Sequence, residues 1–585
     1  MNDNKQAGYE SIRLSFSEKS TFEKIIAIMF VPLLFVGFYM ISGILTHTFT
    51  DMKIPNEYRE CANVFMTMEL MEGHNPYALS SLNGELPPFI YLYGPLYSII
   101  TAGIGTVLGA LGLNPDIVLL HYIVTFVCIM GASALAFYMV WKKTDSLTLG
   151  TAAFIFLINC SWRYNYVNAI PDSMGLLLMM AILFLLSARD FKGKELLCGV
   201  LTVAVFFTKQ YYLLIAGTAV IFLFLFKGIK RMAGYLISFG VTAAAAYGLL
   251  RIYCPLFETY MFYFAKGPGK GVASTVTRGS EKMTGMEYNF SQIMSLGGIF
   301  FMFFLTELLC VLYFLSAFIR EWKKMKVTGT SVGKGLPALI ERTASAGRSA
   351  GIDEFDILML IHMGVSGICL MYIGRNDGAW LSYYLELFMP ALIMGTLVIF
   401  KKLSRIVSET GLYGINKRTT YLILSAFLLM LLGFTVSRAD ERLPISPLSE
   451  EDHKEWDMAE KMLDENPGDM YLYPLLGYYG IRHDIYVYNY GQPFVVSERF
   501  LKSYNKHPDK QEQYPYAGEI FESHLDFRKK LREKVRNGEY TMVSYIEGTD
   551  EVFDREDLRE KYEKCGTYDL RTGRQVWKTE LWKLK

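Results

Sequence analysis

Apolar runs separated by short polar loops recur from residue 25 to residue 436 of the chain. They predict helical spans at 25–45, 117–140, 147–161, 173–188, 196–208, 211–226, 232–252, 296–318, 355–373, 380–400 and 419–436, about eleven in all. Some of these, notably 147–161, 196–208 and 211–226, are shorter than the roughly 20 residues a straight span prefers. Short helices persist in a membrane where neighbouring protein or a wet cavity satisfies their ends. After residue 436 the pattern changes. DMYLYPLL and DIYVYNY alternate as strands do, FRKKLREKVRN reads as an amphipathic helix, and YTMVSYIEG reads as a strand after it. The expected fold is a polytopic α-helical membrane protein with a juxtamembrane helical outer loop (47–116) and a small C-terminal α/β soluble domain. The boundary falls between 1–436 and 437–585.

Positive residues orient the bundle. The first apolar run follows Arg13, Lys19 and Lys24, is too long for a signal-peptide core and has no small-x-small cleavage site after it. It reads as a retained anchor with a cytoplasmic N-terminus. Lys142-Lys143, Arg189-Lys192-Lys194, Lys227-Lys230-Arg231, Arg320-Lys323-Lys324-Lys326 and Lys401-Lys402-Arg405 should then all be cytoplasmic. These assignments agree only if the run from Leu92 to Leu113 does not cross. That run holds five glycines (94, 103, 105, 109 and 112), is flanked by Pro95 and Asn114-Pro115, and reads as a half-inserted or interfacial helix of the first outer loop. The C-terminal domain then lies outside, and a plasma-membrane location is expected.

Composition narrows the class. The 585 residues are 52% hydrophobic, 15% aromatic and 20% charged, with a net charge of +1. The charges are segregated by loop rather than pooled into a patch, which points away from nucleic acid. Of the eight cysteines, most lie inside apolar runs and none has metal-ligand or redox spacing. TGTSVGKG near residue 330 lacks the GxxxxGK[ST] pattern and reads as a linker.

Candidate chemistry gathers on the proposed outer face. Phe49–Leu96 carries Asp51, Glu57, Glu60, Glu69 and Glu72 among many aromatics: a solvated acidic loop, or carboxylates for acid/base work on a lipid-borne substrate. Asp172 opens a helix after Pro171 and either caps its first turn or contacts substrate or metal. Lys209 in FFTKQYYLL is a lone cation between short apolar helices with no acid beside it in sequence. It either snorkels to the interface or meets an anionic phosphate. Arg375 pairs with Asp377 or grips a phosphate. Glu386, inside the next apolar run, is a functional group or is satisfied by a neighbouring tyrosine. The Gly-rich basic loop 254–295 fits a lid or an idle flexible loop.

The order of these parts resembles the GT-C superfamily of polytopic glycosyltransferases, which includes protein O-mannosyltransferases and aminoarabinose transferases. NEYRECANVFMTMELMEGHNPY is similar to their acidic first-loop motif, with Asn56-Glu57 where Asp-Glu is commoner; YGPLY (93–97), PD (171–172) and TKQ (208–210) follow in the same order. The resemblance covers roughly residues 20–400. It implies a GT-C-like fold, a polyprenyl-phosphate sugar donor, and transfer to a glycan, lipid or protein acceptor at the outer face. It implies Glu57 as general base with Asp51 as the alternative, and substrate contacts at Asp172, Lys209, Arg375, Tyr58, His74 and Tyr93. A divalent metal is used by some members; nothing in the residues requires one.

Two other classes compete. A transporter or flippase of lipid-linked glycans would line a path with charges from both faces, whereas the polar residues here collect on one. A scaffold presenting the C-terminal domain leaves Lys209 and the first-loop acids unexplained.

Overall fold

The computed structural model describes residues 24, 27–50, 52–55, 60–162, 168–265, 275–278, 281–327, 352–375, 381–410, 448–488, 495–546, 552–572 and 575–585. Asp51, Glu57, Tyr58, Asp377, the 328–351 linker and the 419–436 run lie outside the described residues.

Helices α1 (Phe30–Thr50), α2 (Glu60–Met71) and α3 (Leu96–Ala110) are followed by α4 (Ile117–Thr144), α5 (Leu147–Trp162), α6 (Asp172–Ser187), α7 (Lys194–Thr208), α8 (Ile215–Phe226) and α9 (Ile229–Tyr253). A β-hairpin, β1 (Thr275–Arg278) and β2 (Glu281–Thr284), leads into α10 (Gly285–Ser295), α11 (Gly297–Val327), α12 (Glu354–Ile373), α13 (Ser382–Leu387) and α14 (Met389–Thr410). Asp116 caps α4 by accepting the Leu119 amide at 3.0 Å, and Lys142 and Lys143 occupy its last turn, where they complement the helix dipole.

Among the described residues, α4, α9 and α12 are long and apolar enough to cross a bilayer alone, with a fourth span if α10 and Phe300–Ser316 of α11 form one bent crossing. The expected count of about eleven spans is therefore not established by length and composition. Two of the shorter helices, α5 and α6, are enclosed. In α6, Met179, Met180, Ile182 and Leu183 are completely buried, so neighbouring helices rather than lipid surround it. The outer helices do the reverse: Phe38 of α1 is 75% exposed and Ile252 of α9 72%. Apolar surface on this scale marks a lipid-facing wall. The molecule is a multi-pass helical membrane protein.

Ion pairs gather four of the five basic clusters at one end of the bundle. Asp353 meets Lys143 at 3.6 Å and Lys402 at 3.2 Å, and Glu354 meets Lys227 at 2.9 Å. Asp190 lies 3.2 Å from Lys194 and 3.9 Å from Lys227. The run from Leu92 to Leu113 forms only the 15-residue α3, a length of about 22 Å and short for a crossing. It buries Tyr97, Ser98, Thr101, Ala102 and Gly105 and turns Ile99, Ile104 and Val107 outward.

The C-terminal part comprises α15 (Glu450–Asp464), β3 (Met470–Tyr471), α16 (Gly477–Arg482), α17 (Glu498–Asn505), α18 (Pro508–Gln513), α19 (Ala517–Asn537), β4 (Met542–Ile546), α20 (Arg555–Arg559), β5 (Tyr562–Thr572) and β6 (Gln575–Leu584). Its sheet runs β3-β4-β6-β5, with only the β3–β4 pair parallel. DIYVYNY, expected as a strand, is none over its described residues: Tyr486 and Tyr488 instead pack on Phe527 of α19. DMYLYPLL keeps only two strand residues before Pro474 turns the chain into helix. The 254–295 loop also departs from expectation. Leu256, Phe257, Tyr260 and Phe264 are buried in an aromatic cluster with Phe521 of α19, which anchors the loop's first third.

Candidate active site

At the bundle end opposite the basic clusters, α6 begins and α7 stops. Asp172 is the first residue of α6, near the positive end of its dipole. Lys209 takes an extended conformation (φ −157°, ψ 128°) that breaks α7 from a 3-10 turn at Gln210–Leu214. The two side chains meet, Lys209 Nζ lying 2.6 Å from Asp172 Oδ1, with side-chain exposures of 8% and 4%. The cation without an acid neighbour in sequence is thus paired, by a carboxylate 37 positions away. Burying an ammonium costs several kcal/mol unless it is compensated, and Asp172 is the compensation.

Aromatic rings surround the pair. Lys209 Nζ stands 5.1 Å from the Tyr93 ring centroid, 4.9 Å from that of Tyr211 and 5.7 Å from that of Tyr383. A second carboxylate closes the cluster: Glu386 Oε2 accepts from Tyr211 Oη at 2.7 Å and from Tyr212 Oη at 2.5 Å. Tyr211 Oη also lies 3.2 Å from Asp172 Oδ1, and its single proton can serve only one of the two acids at a time. Asp172 Oδ2 is buried with no hydrogen-bond partner among the described residues. Close approach needs glycine at two places: a Cβ at Gly175 would strike the Tyr212 ring, and one at Gly94 would strike the Phe207 carbonyl.

Asp172, Lys209 and Tyr93 come together from the expected set. Tyr211, Tyr212 and Tyr383 had no role assigned, although Tyr211 directly follows the TKQ element and Tyr383 sits one helical turn before Glu386. Arg375 follows α12, its Nε buried without a hydrogen-bond partner among the described residues. His74 is elsewhere, on the turn after α2, with Nδ1 3.3 Å from Glu69 and 3.5 Å from Glu72. These three offer ligand atoms within 4.8 Å of one another, with Glu72 and His74 open to solvent. Burial lifts the Glu69 carboxyl above its ordinary value, His74 opposing and Glu72 adding to the rise.

Glu60, which reads in sequence as a loop acid, is fully buried. It accepts from Tyr478 Oη of α16 at 2.7 Å and from Tyr122 Oη of α4 at 3.2 Å, clasping the C-terminal part to the bundle three residues after Glu57.

No protein-family model and no curated protein matches the chain. The structure is similar to that of ArnT from Cupriavidus metallidurans bound to undecaprenyl phosphate, with a TM-score of 0.49 and 13% identity over 93% of this chain and 97% of that one. The apo state of the same protein gives 0.48 and 12% over the same shares. An oligosaccharyltransferase of Archaeoglobus fulgidus gives 0.43 and 13%, over 78% of this chain and 59% of that one. At these scores the chemistry rests on the site's own residues.

Proposed function

We propose that the protein is a membrane glycosyltransferase that moves a sugar from a polyprenyl-phosphate donor to an acceptor hydroxyl at the outer face of the plasma membrane. The observation that carries this reading is the buried Lys209–Asp172 pair within its ring of tyrosines. A lysine ammonium has three donors, and Asp172 is its hydrogen-bond acceptor among the described residues, so donors remain for a phosphate oxygen. Sidedness follows from charge: Lys194 and Lys209 flank the 15-residue α7, about 22 Å apart, and the Lys194 end holds the basic clusters. By that rule the pair faces outward, and residues 437–585 form an extracytoplasmic accessory domain beside it. The α3 helix, with its outward Ile99, Ile104 and Val107, lies along the interface.

In the reaction, the acceptor oxygen attacks the anomeric carbon as the bond from that carbon to the phosphate oxygen breaks. The bonding pair leaves on the phosphate, where Lys209 stabilises the growing charge. The acceptor proton passes to the carboxylate of Glu57, or of Asp51 in its place. Asp172 holds Lys209 in position, and its second oxygen receives a sugar or acceptor hydroxyl. Arg375 is a further phosphate contact. The test is transfer from radiolabelled polyprenyl-phosphate sugars in membranes. Lys209→Met should weaken donor binding, and Glu57→Gln should abolish transfer while donor binding persists. Unaltered donor binding in Lys209→Met removes the phosphate role.

A further inference from the structure

We infer that the cleft between the first outer segment and the C-terminal part binds the acceptor, and that this acceptor is an uncharged or cationic saccharide chain. The inference rests on the glycosyltransferase reading and adds to it the acceptor's place and chemical class.

The cleft has a volume of about 680 Å³ and is lined from both sides, by Phe65, Glu69, Glu85 and Phe89 of the first outer segment and by Tyr486 and His524 of the C-terminal part. That volume falls within the roughly 300–1,000 Å³ of small-ligand sites. Its charge decides the ligand. The lining holds the carboxylates Glu69 and Glu85, the histidines His74 and His524, and neither lysine nor arginine, and His74 Nδ1 already faces Glu69 at 3.3 Å and Glu72 at 3.5 Å. His524 adds no positive charge, because burial, helped by the nearby Arg528 guanidinium, holds the ring neutral against the opposing pull of its hydrogen bond to Pro88, its pKa lowered to about 3. A phosphate or uronate meets no lysine or arginine in the lining, and Arg528, behind Tyr488, is engaged by Tyr488 Oη and the Val496 carbonyl, so the cleft suits the acceptor and not the donor. Aromatic faces beside carboxylates suit a sugar: ring C–H faces stack on Phe65 and Phe89, whose centroids are 5.1 Å apart, and hydroxyls or ammonium groups reach Glu69 and Glu85.

The floor is pre-organised. Arg528 Nε donates to Tyr488 Oη at 2.9 Å, Tyr488 Oη donates to His524 Nδ1 at 3.1 Å, and His524 Nε2 donates to the Pro88 carbonyl at 2.8 Å. This chain of bonds ties α19 to the segment before α3. The same segment leads to the active site. Phe89, Tyr91 and Tyr93 form an aromatic file with centroid spacings of 6.2 and 6.0 Å, and Tyr93 ends it beside Lys209. Together these two spacings span at most about 12 Å, so a saccharide lying in the cleft brings its terminal hydroxyl towards the Lys209 centre.

The experiment is calorimetric titration of the full-length protein in detergent with three tetrasaccharides: cationic glucosamine, uncharged N-acetylglucosamine and anionic galacturonate. The first two should bind and the third should not. Ser80→Trp, which fills the cleft from an exposed position on its rim, should weaken both binders at least tenfold. Glu69→Gln/Glu85→Gln should weaken the cationic tetramer about three- to fivefold more than the uncharged one, as expected for partly exposed charges. Equal binding of galacturonate, no effect of Ser80→Trp, or tighter binding of a lysine-rich decapeptide than of either saccharide overturns the inference. Polyprenyl phosphate is titrated in parallel. If it binds and the saccharides do not, the cleft inference falls alone; if the saccharides bind and it does not, the glycosyltransferase reading falls.

Discussion

Replacing Lys209 by methionine keeps most of the side chain's volume and removes its charge. Asp172, with 4% of its side chain exposed, is then left as a buried carboxylate without its cation. Removing one partner of such a pair costs about 3–5 kcal/mol. Two features of the site place the expected loss near the lower bound. Tyr211 Oη still reaches Asp172 at 3.2 Å, and the carboxylate sits at the positive end of α6. Against this, the three rings lose their cation, at about 0.5–2 kcal/mol per desolvated contact. With both effects together, we expect Lys209→Met to be about 4–5 kcal/mol less stable than the wild type in reversible unfolding by SDS in mixed micelles. Asp172→Asn leaves the ammonium buried and should lose a similar amount. The double variant has no buried charge left unpaired, so its loss should fall below the sum of the singles by about 2–3 kcal/mol. It should nevertheless bind polyprenyl phosphate at least about tenfold more weakly than the wild type, because the phosphate's counter-charge is gone. Additive losses, or a Lys209→Met protein as stable as the wild type, refute the buried-pair reasoning.

Four further outcomes follow from the same geometry. Glu60→Ala removes the acceptor used by Tyr478 and Tyr122 and should cost about 1–3 kcal/mol, read as faster amide exchange across α16; unchanged exchange counts against the clasp. Gly175→Ala drives a methyl into the Tyr212 ring and should cost about 1–3 kcal/mol in the same unfolding assay, whereas Gly103→Ala, with open space around it, should cost far less. His524 has a folded-state pKa lowered, chiefly by burial, to about 3 from its ordinary value of 6.5. The unfolded chain therefore takes up the proton first, and stability that is complete above pH 6.5 should fall by about 1.4 kcal/mol per unit as the pH drops towards 3. His524→Gln should flatten that slope in a pH-dependent unfolding series; an unchanged slope assigns it to other groups. Tyr211→Phe leaves the Lys209–Asp172 contact in place and removes the hydroxyl between the two acids, so it should retain donor binding and lower the transfer rate; equal loss of both makes the hydroxyl a donor contact.

What the sequence disclosed depended on how unusual each residue was in its surroundings. Lys209 and Asp172 stand out as charges at the ends of apolar runs, and Glu386 as a carboxylate inside one. That they converge could not be read off, because the pairing of Asp172 with Lys209 depends on how α6 packs beside α7. The tyrosines of the cluster were hidden by abundance, since a chain with 39 tyrosines gives no reason to single out Tyr383. Glu60 shows the opposite failure. It looked like one more acid of a polar loop, yet it is buried because Tyr478, 418 positions away, reaches back to it. The helices were legible from hydropathy, and the 15-residue α3 from its glycines and flanking prolines. The C-terminal strands were less so: the β-like alternation that begins at Asp484 serves a cleft wall instead, where Tyr486 and Tyr488 both find Phe527 as partner.

The most direct test of the central claim uses right-side-out vesicles carrying a polyprenyl-phosphate sugar labelled in the sugar, with a saccharide acceptor added outside. The wild-type protein should move label to the acceptor and release free polyprenyl phosphate in equal amount, and Glu57→Gln should do neither. Label that crosses to the other leaflet while still joined to its phosphate would contradict the account and make the protein a transporter.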